Sequence, residues 1–156
     1  MSDYKISFAE NENKSAPAGF SIGRLFLGLL MAIAAVALSA GGWGLLAYWT
    51  NSIYVMAAIV VGFVVSFAVT YPFPRIGILL GIVLFIPTAI LTVAAVLLGD
   101  YLYYVLNFMA EGATLNEAIA AVATYFVELA AEDSVASIIF AIIGTVVGFF
   151  NALSGD

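Results

Sequence analysis

The chain has 156 residues, 65% of them hydrophobic and 9% charged, with a formal net charge of −6. A soluble domain runs at about 45–50% apolar and about 25% charged, so the apolar excess must face lipid or other membrane proteins. Cysteine and histidine are both absent, which excludes disulfides, Cys-based zinc sites, Fe–S clusters and His-ligated haem; the four basic residues form no stripe for nucleic acid, and no cofactor is expected.

Residues 1–21 form a polar stretch rich in Asn, Glu, Ser and Pro with no apolar periodicity. It reads either as a disordered tail or as a strap that orders on a partner. Residues 22–156 read as one transmembrane domain. Arg24 precedes an apolar run over 25–49 that continues well past Ala37-Leu38-Ser39. It is therefore a transmembrane helix rather than a cleaved signal peptide. Gly41, Gly42 and Gly44 surround Trp43 within it. They imply either close packing on a neighbour or a locally unwound helix lining a site.

Thr50-Asn51-Ser52 is a polar turn, and 53–71 reads as the second helix. Gly62 and Ser66 lie one turn apart on it and offer a packing face. Pro72 and Pro74 stop that helix. The third helix covers 76–109, about 51 Å long against a hydrocarbon core of about 30 Å, so it must protrude from the membrane. It carries Gly77 and Gly81 in GxxxG spacing. Pro87 should kink it, because Val83 O loses its donor, and Thr88 stands beside the freed backbone.

Residues 114–131 read as an amphipathic helix outside the membrane. Thr114-Leu115-Asn116-Glu117 forms a capping box, and Leu115, Ile119, Val122, Phe126 and Leu129 recur at helical spacing. Its polar face lacks the Lys and Arg of a lipid-seeking helix, so protein contact is expected. Glu132, Asp133 and Ser134 read as the acidic start and N-cap of a fourth span, 135–153. That span aligns Ser137, Ala141, Gly144, Gly148 and Ala152 on one small-residue face.

The fold expected is all-α and polytopic, with four transmembrane helices and the extracytoplasmic amphipathic helix. Lys5, Lys14 and Arg24 precede the first helix, and Arg75 lies between the second and third. Basic residues are retained in the cytoplasm, so both termini are expected there. Tyr48, Trp49, Tyr54, Tyr101, Tyr103 and Tyr104 then fall at the outer interface as an aromatic belt.

Asp100 is the one residue charged at neutral pH within 76–109. Such residues mark ion or proton sites by default. Counted from Ile76, however, it lies about 36 Å along the helix, where outer headgroups would solvate it. The acidic residues Glu111, Glu117, Glu128, Glu132 and Asp133 would either solubilise the outer helix or attract cations or a basic partner. No HExxH motif occurs, since the chain has no histidine, and an enzyme is not expected.

The stretch Gly41–Phe67 resembles a two-helix segment of small uncharacterised bacterial inner-membrane proteins. Tyr48, Trp49 and Thr50 match its aromatic-Thr turn, and Gly62 its second-helix glycines. That resemblance implies an inner-membrane location and no particular activity. The leading expectation is a non-catalytic accessory or scaffold subunit. It would pack on other membrane proteins, or on itself, through the small-residue faces and the outer helix. The alternative is a small oligomeric channel or transporter using Asp100 or the acidic surface.

Overall fold

In lipid a backbone cannot leave N–H and C=O groups unpaired, so apolar runs of this length become helices. The computed structural model describes residues 22–53, 55–73 and 78–154, and the described residues are almost wholly helical. The elements are α1 (Ile22–Thr50), a short 3-10 turn (Val55–Ala57) leading into α2 (Ala58–Thr70), α3 (Ile78–Ala110) and α4 (Leu115–Ser154). The tail, Lys5, Lys14, Tyr54, Arg75 and Gly77 lie outside the described residues.

Three helical stretches are long and apolar enough to cross a membrane: Ile22–Thr50, Ile78–Ala110 and Ser134–Leu153. Most of their apolar side chains point away from the bundle; Ile33, Ile82 and Ile139, for example, are all more than half exposed. A protein with that surface is integral to a membrane. The second helix, with its leading turn, covers only Val55–Thr70. It is shorter than the 53–71 expected.

Local chemistry sets the chain reversals. After α1, Asn51 takes φ 48°, Ser52 N–H bonds Ala47 O at 3.2 Å, and Asn51 N–H bonds Tyr48 O at 3.3 Å. This paired arrangement satisfies the last carbonyls of a helix. Gly112, at φ 103°, repeats it after α3, with Ala113 N–H to Phe108 O at 3.1 Å and Gly112 N–H to Met109 O at 3.0 Å. The capping box then starts α4. Thr114 N–H and Oγ1 bond Glu117 Oε2 at 2.9 and 2.7 Å, and Glu117 N–H reaches Thr114 Oγ1 at 3.4 Å.

The expected break at Glu132-Asp133-Ser134 does not occur. α4 is one helix of 40 residues, about 60 Å long, so the outer helix of 114–131 and the span of 135–153 are continuous. No Gly or Pro stands between Leu115 and Ile143, and Ala-rich sequence carries the helix through the acidic residues. Its outer half is turned differently from the stripe read in the sequence. Ala118 and Val122 are buried with Val105 of α3, Phe126 meets Tyr101 edge-on at 5.2 Å, and Leu115 and Ile119 are exposed.

α1 packs on α2 and α3, α4 also packs on α2 and α3, α2 and α3 touch, and α1 and α4 do not meet. Glycines set two of these contacts. A Cβ on Gly62 would collide with Ala141 O, and one on Gly144 with Ile59 O, so α2 and α4 run backbone against backbone. A Cβ on Gly148 would lie 2.7 Å from Ser66 Cβ, and one on Gly44 2.6 Å from Gly99 O. The small residues Gly62, Ser66, Ala141, Gly144 and Gly148 thus pack within the chain. α1 is not unwound at its glycines, and a Cβ on Gly41 or Gly42 would meet nothing within 4 Å.

Candidate functional site

α3 places Asp100 in the interior. It is fully buried, which corrects the solvated interfacial position expected from its distance along the helix. Axial position alone does not decide burial. α4 continues past the level where a separate span would have begun, and with α1 it encloses this side chain. Asp100 Oδ1 accepts from Trp43 Nε1 at 2.7 Å, and Oδ2 accepts from Ser134 Oγ at 2.6 Å. A buried carboxylate is tolerable only when hydrogen-bonded, and both of these donors are themselves buried. Ser134 is therefore a bridge from mid-α4 to α3 rather than an N-cap.

The close approach of α1 and α3 makes the Trp43 bond possible. Gly99 immediately precedes Asp100, and a Cβ there would strike Trp43 Cδ1 and come within 3.0 Å of Ala40 O. The dipeptides Trp43-Gly44 and Gly99-Asp100 thus pack against each other, each glycine making room for the other helix. Sequence reasoning missed both Trp43 and Ser134 as partners of Asp100. The available signal was a large N–H donor and a carboxylate, each joined to a glycine on an apolar helix.

Further fully buried hydroxyls belong to Ser66, Thr88, Thr92, Ser137 and Thr145. Thr145 Oγ1 lies 3.0 Å from Thr92 Oγ1 and 3.0 Å from Ala141 O, joining α4 to α3. Ser66 Oγ donates to Gly62 O at 2.8 Å and lies 3.2 Å from Thr145 O. Ser137 Oγ is buried with no hydrogen-bond partner among the described residues. α3 continues as helix through Pro87. Thr88 Oγ1 donates to Leu84 O at 2.7 Å rather than to the freed carbonyl of Val83.

The other expected site residues lie away from Asp100. Gly81 is buried on the early turns of α3, whereas Ala152, near the end of α4, is half-buried. Glu111, Glu117, Glu128 and Glu132 are exposed. The hydrogen bonds from Thr114 hold Glu117 below the usual carboxylate range. Among the described residues no group of His, Cys, Asp and Glu could hold a metal ion. The interior chemistry is thus a hydrogen-bonded carboxylate with serine and threonine hydroxyls. No protein-family model, no curated protein and no solved structure matches this chain.

Proposed function

We propose that this protein is a non-catalytic accessory or scaffold subunit of a larger membrane complex, docking through the outer half of α4. The proposal takes α2 as a fourth, short span, with both termini in the cytoplasm of a bacterial cell and the outer half of α4 on the far side of the inner membrane. The small residues Gly62, Ser66, Ala141, Gly144 and Gly148 are engaged within the chain, so they no longer support a partner contact. The observation that carries the proposal is how the exposed surface of the outer half of α4 is divided.

At about 100° per residue, Ile119, Ala123 and Val127 fall along one flank and Glu117, Glu128 and Glu132 along another. All six are exposed, Val127 at 80%. α4 is about 60 Å long, twice the hydrocarbon thickness, so this half projects past the lipid. An apolar flank in that position needs a protein to cover it. The acidic flank beside it favours a partner helix with an apolar face and a basic edge.

The test is extraction from native membranes in mild detergent, with mass and composition measured. Stoichiometric co-purification of a second polypeptide, lost in Ile119→Glu and Val127→Glu while the protein itself stays folded, supports the proposal. A lone monomer or homo-oligomer overturns it.

A second reading, a small channel or transporter, is favoured by the burial of Asp100 beside a hydroxyl-bearing interior. Intramembrane carboxylates commonly serve ion or proton movement. Asp100→Asn separates the readings: flux lost from vesicles with assembly intact favours transport, whereas absence of flux in the parent protein removes it.

A further inference from the structure

Trp43 and Ser134 both bond Asp100, but they differ in what they can do when its charge changes. Trp43 Nε1 donates to Oδ1 at 2.7 Å, and Ser134 Oγ donates to Oδ2 at 2.6 Å. An indole N–H is a donor only, whereas a serine hydroxyl both donates and accepts. Asp100 and Ser134 are each 0% exposed. No space for a water or a hydrated cation opens beside the pair, and a proton is the ion that needs none.

Protonation of Oδ2 leaves the site fully bonded. Oδ1 becomes the carbonyl oxygen and keeps the bond from Trp43. The new Oδ2–H donates to Ser134 Oγ, which turns from donor to acceptor. The serine hydrogen then turns to the carbonyl of Ala130, one turn back on α4. Ser66 and Thr145 already bond this way, to Gly62 O and Ala141 O at 2.8 and 3.0 Å. A proton on Oδ1 would instead point at the Trp43 N–H, which cannot accept it.

We infer that Asp100 is a reversible proton-binding site, with the proton carried on Oδ2 against Ser134. The carboxylate takes the proton from water and returns it, and no other bond is made. Exposed Glu132 lies about 3 Å along α4 from Ser134, so a local parting of α4 from α3 admits the proton. The other titratable groups on the packed elements are distinct from this pair. On α1, Arg24 stands about 28 Å along the helix from Trp43, and Tyr48 is half-buried. On α3, Tyr101 bonds Ile119 O at 2.9 Å, and Tyr103 and Tyr104 stack on each other. On α4, Glu128 is exposed and Asp133 adjoins Ser134 in the chain. Residues 55–70 carry none. The inference deepens the second reading by naming a proton as its ion, yet it does not need that proton to cross the membrane.

Infrared difference spectra of the full chain in lipid vesicles, between neutral and acid pH, test it. Asp3→Asn, Asp133→Asn and Asp156→Asn leave Asp100 as the sole aspartate, and carbon-13 in the aspartate carboxyl marks its band. A labelled acid C=O band is expected, appearing on acidification and vanishing on return. Trp43→Phe should move it to higher wavenumber, because the carbonyl oxygen loses its donor, and Ser134→Ala should move it much less. Absence of a labelled acid band at every pH where the helical signal persists overturns the inference. A larger upward move in Ser134→Ala than in Trp43→Phe also overturns it, by placing the carbonyl on Oδ2. The expected band without proton flux across the vesicles removes the second reading and supports proton binding alone.

Discussion

Trp43 and Asp100 stand 57 positions apart in the chain, and Nε1 of one lies 2.7 Å from Oδ1 of the other in the buried interior. The indole N–H can only donate, so this contact requires an acceptor in place. Ser134 supplies the second donor from α4. One carboxylate thereby ties α1, α3 and α4 together, although α1 and α4 do not themselves meet.

Trp43→Phe keeps the aromatic bulk and removes the donor. Loss of a hydrogen bond to a buried carboxylate should cost about 1–3 kcal/mol, read as a lower unfolding midpoint in detergent. Ser134→Ala should act in the same range. The double variant should depart from additivity, because both donors serve one group. Strict additivity would mean that the two bonds do not cooperate.

The glycines divide into two classes with opposite expectations. Gly62→Ala and Gly144→Ala each place a Cβ against the backbone of the facing helix, and separating the helices should cost about 1–3 kcal/mol or more. Gly41→Ala and Gly42→Ala meet only open space and should be neutral, or stabilising by up to about 1 kcal/mol through helix propensity. Thermal unfolding of the four variants side by side checks the division.

Continuity of α4 predicts a distance. Spin labels on cysteines at Thr124 and Ala136, both exposed, should have backbones about 18 Å apart with a narrow distribution. The chain has no native cysteine, so labelling is clean. A broad or much shorter distribution would mean that the helix bends at Ser134.

The start of α4 should depend on pH. The bonds from Thr114 lower the pKa of Glu117 in the folded state. Its contribution is complete above the ordinary Glu range and fades as pH falls through the lowered folded value. Amide exchange in the first turn of α4 should therefore rise in acid relative to the rest of the helix, after correction for intrinsic rates. Thr114→Ala should remove that pH dependence.

The helical stretches, the Thr50–Ser52 turn and the capping box at Thr114 were legible in the sequence because each rests on short-range chemistry, whereas the break read at Glu132–Ser134 is absent from the continuous α4. An apolar run in lipid has to satisfy its own backbone, which fixes it as helix. Thr114 reaches Glu117 only three residues away. The small-residue faces were legible too, since residues three and four apart share a side of a helix.

What those faces meet was not legible. Gly44 and Gly42 look alike in sequence, yet one touches Gly99 and the other faces an open groove. Ser134 has every local mark of an N-cap, yet it lies mid-helix and bonds Asp100. By itself, the sequence determined a helical membrane protein with well-marked turns. Only the tertiary structure decided that Asp100 is enclosed, because burial depends on which helices stand beside it and in what register, and both follow from contacts between residues far apart in the chain.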